Sequence, residues 1–427
     1  VGALGEAPLA AVTLANVPVF VIQLVIFGLQ SGSSVLISQY WGKGDVESIN
    51  RVMGIGCYVA GAISVLFALA MGLFPRQLMG MLTDNPALVE IAAGYARIVG
   101  PSYLFNSLTG IYVGAHRSMG NPRLGLVVFT ISMCTNTALN WVLIFGNLGV
   151  PRLEVEGAAL ATLISRVVEF AAMAVYAGGN RRFRLRLSCL IRPGREIVRK
   201  FIHYSGPVVF NEGMWGLGTS LYKVIMGHME GSTEILAARA LAGNIEDICL
   251  VAIFAMAGTT GITVGREIGS GRDSGTVYQV GAAMDTLALF CGLGIGLVLL
   301  AATRLFLAPV VYPLFRLSEN AAGIATMMLT FTAAAMPLRA FNTTNTVGVL
   351  RGGGDVRAAM LIDILPLWCV ALPLAALFGL GLRWGIFWVY VGVFMEQAAK
   401  LGAGVRRFRS RGWIVDVTMA GRNEKRN

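Results

Sequence analysis

Stretches dominated by apolar residues recur along the chain, as at 59–73, 124–145 and 287–302, and they approach or reach the roughly 20 residues that cross a bilayer core. A membrane barrel would alternate in polarity over segments of about ten residues. These runs, rich in Ala, Leu and Gly, do not alternate, and helices are the other form that satisfies its own backbone in lipid. The pattern predicts spans at 8–39, 50–73, 87–113, 123–145, 156–178, 202–226, 233–265, 275–301, 320–349, 357–379 and 384–405, eleven in all. Several exceed what a bilayer needs, so they tilt, bend or project into water. Pro18, Pro101, Pro207, Pro337, Pro366 and Pro373 fall inside them, where neighbouring helices or cavity water take up the freed carbonyls.

The second half of the chain restates the first. The segment from Ser38 to Gly44 returns from Gly265 to Gly271, pairing Gly42 with Gly269, and Leu82 to Asn85 returns from Leu317 to Asn320. Pro101 to Asn106 returns from Pro337 to Asn342, and Gly114 to Arg123 returns from Gly348 to Arg357. A duplicated hydrophobic unit is the signature of a transporter. Val1 to Gly5 aligns with Gly227 to Gly231, the loop after the span 202–226, so the first copy is expected to lack one N-terminal helix. Restoring it gives two copies of six. An even number sends both copies through the membrane in the same sense, relating them by an axis along the membrane normal, with the substrate path expected between the lobes. The expected division is an N-terminal lobe at 1–178, a basic linker at 179–200, a C-terminal lobe at 201–405 and a basic tail at 406–427.

Composition agrees with a polytopic, all-α membrane protein: of 427 residues 56% are hydrophobic and 13% charged, with a mean hydropathy of +0.68. The net charge of +11 does not indicate nucleic acid, because the bases gather between Arg181 and Lys200 and from Arg406 onward, beside spans. Such clusters face the cytoplasm and touch anionic headgroups. Alternating sides from the linker puts Lys43, Arg51, Arg117, Arg123, Arg266, Arg272, Arg351 and Arg357 inside as well. The outer loops keep only Arg76, Arg152, Arg304, Arg316 and Arg383. The expected location is a bacterial inner membrane, with linker and C-terminus cytoplasmic. The six cysteines stand singly without a CxxC pair, and read as small core residues.

The loop from Gln39 to Asp45, the segment from Gly120 to Arg123 with its echo from Gly354 to Arg357, and the stretch from Glu156 to Thr162 carry a family resemblance in their order across two copies. The chain resembles the multidrug and toxic compound extrusion (MATE) transporters over nearly its whole length. From Pro207 to Trp215 and from Gly265 to Gly269 it resembles an uncharacterised bacterial branch. The resemblance implies a V-shaped pair of six-helix lobes exporting organic, often cationic, compounds in exchange for Na⁺ or H⁺. No cofactor is expected beyond that coupling ion, and the protein is expected as a monomer in the bilayer.

An antiporter needs a group for which coupling cation and substrate compete. A carboxylate in a low-dielectric cavity supplies one. Glu212 is the first candidate, near mid-depth of the span 202–226, with Asn211 beside it as a neutral oxygen ligand for Na⁺. Trp215, one turn on, offers a π surface to an organic cation on the same helix face. Family members use an acid on this seventh helix, which supports Glu212 by helix more than by motif. Glu246 and Asp247 follow in the span 233–265; adjacent positions point about 100° apart, so one is expected to line the lobe interior while the other pairs with a base such as Arg239. Asp363, Asp285 and Glu396 are read as interfacial or helix-pairing acids, the last two without polar company. Asn106, Asn136 and Asn342 are candidate cavity amides, with Asn140 and Asn345, although bonding between helices is the more common use of such residues. Relatives with an acid on the tenth helix find no match between Ala321 and Gly348, and the coupling acids are expected in the second copy.

Three other readings stay open. A lipid-linked saccharide flippase of the same broader fold would have a cationic central cavity, and bases within spans are few: Arg97, Arg166, Lys223, Arg239, Arg339 and Lys400. A membrane-embedded enzyme would need a nucleophile with its base or a metal cluster, and the three histidines, His116, His203 and His228, lie near loops or span ends. A passive channel explains the duplication less well than alternating access.

Overall fold

The computed structural model describes residues 4–180, 183–315 and 317–419. Val1 to Ala3 of the segment aligned with Gly227 to Gly231, Arg181 and Arg182 of the linker, Arg316, and the tail from Arg422 to Arg426 lie outside them. Among the described residues the chain is helical, with no strand. The helices are α1 (Glu6–Lys43), α2 (Val46–Leu73), α3 (Pro75–Gly80), α4 (Pro86–Val99), α5 (Ser102–Ser118), α6 (Arg123–Phe145), α7 (Glu154–Gly179), α8 (Leu187–Ile191), α9 (Arg195–Gly227) and α10 (Ser232–Gly269). There follow α11 (Ser274–Ala302), α12 (Tyr312–Leu314), α13 (Glu319–Thr343), α14 (Val356–Pro366), α15 (Leu372–Ala376) and α16 (Ile386–Arg409). Among the described residues, eight helical stretches are long and apolar enough to cross a membrane.

Proline decides where the expected spans break. The span read as 87–113 is two helices, α4 and α5, parted at Gly100 and Pro101, because proline removes an N–H and crowds the preceding turn. Pro366 ends α14, and wider π-helical turns at Leu367–Ala371 and Leu377–Gly381 flank α15. Thr303–Val311, which contains Pro309, prolongs α11 in the same way. Arg304, expected in an outer loop, therefore lies in a helical stretch from Ser274 to Leu314.

Two compact units emerge, Val1–Ile37 with Asp45–Val209, and Ser38–Gly44 with Phe210–Asn427. In the first, α5 and α6 pack on α7 and α2 packs on α5, around small and flexible side chains such as Ala11, Met71, Ala92, Ala96 and Ala159. In the second, α13 packs against α10, α11 and α16 over Met328, Leu329, Met336, Ala375 and Val389. Gly292 and Gly296, one turn apart on α11, let the helices approach closely: a Cβ at either position would lie within 2.7 Å of an α13 carbonyl, that of Met336 or of Ala333.

Polarity is inverted relative to a soluble protein. Leu66, Leu126, Val175, Ile248 and Val298 are exposed, while Glu169, Glu246, Asp285, Arg351 and Lys400 are buried. Outward apolar surface suits lipid, and charge is then tolerated only inside.

Candidate functional site

The interior of the second unit carries most of the buried charge. α9 is long enough to place Asn211 and Glu212 past Pro207, and both are buried. Arg351, which follows the π-helical segment Thr344–Leu350 at the end of α13, turns inward and sets its Nη1 3.0 Å from Glu212 Oε1. The sequence pattern assigns Arg351 to an inner loop beside Arg357, yet it is only 2% exposed. Asn211 Nδ2 donates to Asp363 Oδ2 of α14 at 3.0 Å. Lys400 of α16 bridges two carboxylates, donating to Asp363 Oδ1 at 2.6 Å and standing 2.8 Å from Glu396 Oε1. The second contact is an i,i+4 pair along one helix face. Tyr222 donates to Glu396 Oε2 at 3.3 Å, so Glu396 does not lack polar company. Glu212, Asp363 and Glu396 thus face Arg351 and Lys400, and with all five ionised the cluster carries one surplus negative charge.

Beside this cluster lies a cavity of about 120 Å³, a little smaller than the ~150 Å³ hole that accepts a benzene molecule. Its walls are aromatic, from Trp215, Tyr222, Phe331 and Tyr390, and its polar groups are Arg239, Glu246, Arg339, Glu396 and Gln397. Trp215 and Glu212 do not share one destination, because Trp215 lines this cavity while Glu212 turns to Arg351. Glu246 lies between two guanidinium groups. Arg239 Nη1 donates to its Oε2 at 2.6 Å and Arg339 Nη1 donates to its Oε1. Glu246 therefore both lines the interior and pairs with Arg239, roles expected of two different acids, and Asp247 is exposed. Asn342 ties two helices, its Nδ2 donating to Gln397 O at 2.8 Å and to Gln397 Oε1 at 3.1 Å.

The first unit has its own polar interior. Glu169 on α7 is fully buried, paired with Arg166 at 2.6 Å and accepting from Asn106 Nδ2 at 3.4 Å. The acid was legible in sequence, flanked by Val168 and Phe170 inside the span 156–178. The sequence reading, which looks for coupling acids in the second copy, passes it over. Asn106 also borders a cavity of about 180 Å³ with Gln23, Gln30 and Ser107. Asn136 instead serves packing, accepting from Asn140 Nδ2 at 2.9 Å and donating to Ser165 Oγ at 3.5 Å.

Comparison with known proteins sets these features in a family. The family model MatE matches residues 1–142 and 208–377. The chain is similar to the uncharacterized transporter YisQ of Bacillus subtilis, 26% identical over 95% of this chain and 87% of that protein. It is also similar to the probable multidrug resistance protein NorM of Bradyrhizobium diazoefficiens, 29% identical over 96% of this chain and 87% of the relative. Among solved structures, a MOP superfamily transporter from Pyrococcus furiosus superposes with a TM-score of 0.84 at 22% identity, over 96% of this chain and 90% of that one. The bent form of the Vibrio cholerae MATE transporter VcmN gives 0.82 at 22% identity, over 97% and 91%. With a duplicated apolar sequence, an all-helical fold whose charge is turned inward, and a family match over most of its length, this chain belongs to the MatE family of multidrug and toxic compound extrusion transporters.

Proposed function

We propose that this transporter is a secondary active antiporter that exports organic cations in exchange for Na⁺ or H⁺, with Glu212 and Asn211 at the coupling site. The observation that carries the reading is the surplus negative charge among Glu212, Asp363, Glu396, Arg351 and Lys400. The Arg239–Glu246–Arg339 group, with one surplus positive charge, lines the same cavity as Glu396, so the acidic cluster is balanced by bases it does not itself pair with, and a proton, Na⁺ or a substrate ammonium competes for the place beside its carboxylates. Carboxylate and amide oxygens are the ligands a hard cation takes. Glu396 belongs to the cluster and also lines the aromatic cavity, so coupling ion and substrate compete without sharing an atom. Trp215 and Tyr222 supply the π faces for a cationic ring. Glu246, already neutralised by two arginines, is the weaker coupling candidate. Relatives named multidrug resistance proteins support the export reading. The bacterial sources of the relatives and the basic linker and tail support a cell membrane location with those segments cytoplasmic.

The test loads proteoliposomes with a fluorescent cationic dye and imposes Na⁺ and proton gradients separately. Dye movement under one gradient, lost in Glu212→Gln, is expected. No movement under either gradient across a panel of cations overturns the reading, and movement unaffected by Glu212→Gln overturns the site. A second reading, that the cavity receives an acidic group, is favoured by Arg239 and Arg339 sharing the single carboxylate of Glu246. Competition by an anionic dye in the same vesicles, abolished in Arg339→Gln, is its expected sign.

A further inference from the structure

We infer that Asp285, with Asn345, forms a proton-binding site in the second unit, separate from the Glu212 cluster. Each other buried or half-buried intramembrane acid described above has a base within 3.0 Å: Glu169 has Arg166, Glu212 has Arg351, Glu246 has Arg239, and the half-buried Asp363 shares Lys400 with Glu396. Asp285 on α11, 3% exposed, has none among the described residues. Its partner is an amide, Asn345 of the π-helical segment Thr344–Leu350, whose Nδ2 donates to Asp285 Oδ2 at 2.6 Å. That leaves two buried acceptors without a donor, Asp285 Oδ1 and Asn345 Oδ1. Two acceptors without donors are costly in a dry interior.

A proton on Asp285 Oδ1 satisfies both at once. The acid O–H donates to the amide oxygen while the amide N–H donates to the acid carbonyl, closing a ring of two hydrogen bonds. A metal cation fits less well, because it needs several oxygen ligands and room for them. The surroundings are close: a Cβ added at Gly404 of α16 would meet Asn345 Oδ1 at 3.0 Å, and one turn before Asp285 a Cβ at Gly281 would meet Phe408, Trp413 and Val349, each at 3.2 Å. The charged groups of the neighbouring elements are committed elsewhere. Arg239 and Arg339 hold Glu246, Lys400 holds Asp363 and Glu396, Arg351 holds Glu212, Glu267 pairs with Arg272 and Arg407 with Asp355, while Arg406, Arg409 and Arg411 are exposed. Asp247, Arg266, Arg304 and Glu319 are exposed. The site therefore answers to proton supply more than to a neighbouring charge, and deprotonation loosens the tie between α11 and the segment that leads to Arg351.

The role in a transport cycle rests on the antiport reading, but the site is tested without transport. Infrared difference spectra of the purified protein, titrated across pH, are expected to show a protonated carboxyl band that shifts in deuterium oxide. Asp285→Asn, close to isosteric, loses that band, and Asn345→Ser moves its frequency while keeping it. A titrating carboxyl spectrum unchanged in Asp285→Asn overturns the assignment. A carboxylate band of Asp285 that answers to Na⁺ and not to pH overturns the proton in favour of a metal cation. In vesicles, Asp285→Asn is expected to flatten the pH dependence of dye export, and if wild-type vesicles move no dye, the antiport reading fails while the infrared result still decides the site.

Discussion

Arg351 and Glu212 show how a single residue changes meaning inside a membrane. Each charge alone would cost several kcal/mol to bury, and their mutual attraction at 3.0 Å offsets that cost only while both are present. Glu212→Gln is expected to lower stability by about 1–3 kcal/mol, because it replaces the charged acceptor 3.0 Å from the buried Arg351 guanidinium with a neutral one. Adding Arg351→Met should recover most of the thermal stability while transport stays lost, which separates the structural cost from coupling. Thermal melting in detergent beside vesicle transport checks both halves. Glu212 was legible as a candidate because an acid in an apolar span stands out. Arg351 was not, because in sequence it sits at a span end like any other inner-loop base, and only the turn of its side chain toward α9 shows its partner.

At the scale of elements, the repeat-related glycines meet. A Cβ on Gly42 would fall on the Arg266 carbonyl, and one on Gly269 would fall on the Gln39 carbonyl, so the end of α1 and the end of α10 cross at contact distance. The tail then fastens over them. Gln39 Nε2 donates to Val415 O at 3.1 Å, and its Oε1 accepts from Val417 N at 2.8 Å, while Trp413 is fully buried. Gln39→Leu removes both bonds and leaves two backbone groups to find water, a loss of about 1–3 kcal/mol, and trypsin is expected to cut after Arg409 or Arg411 faster in this variant. A different restraint starts α11. Asp273 accepts from Thr276 N at 2.9 Å and from Thr276 Oγ1 at 2.6 Å, and these bonds to its charged form hold the carboxyl below its ordinary range. A depressed folded-state value means that the cap's stabilisation is present above the unfolded carboxylate's titration and is lost as pH falls through the folded one. The melting difference between wild type and Asp273→Ala should accordingly shrink on acidification below the usual aspartate range.

For the whole molecule, the side on which each loop lies is the next quantity to measure. The charge bias predicts that a cysteine at Ser270, between Arg266 and Arg272, reacts with an impermeant maleimide only from the cytoplasmic side, and one at Asp84 only from outside. Labelling of both from one side would overturn the span order. Apolar run length determined the helical class by itself, since the bilayer imposes its thickness on any sequence that crosses it. The duplicated segments and their order determined the family, because they survive as strings of residues. What the sequence could not decide was partnership. Glu246 lies between two arginines, 7 and 93 positions away in the chain, and Asp285 meets Asn345 across 60 residues. Local spacing determines which helix face a residue occupies, but the identity of the helix opposite comes from packing, and in a lipid-facing bundle that packing alone selects which buried charge is neutralised, which carries the surplus and which takes a proton.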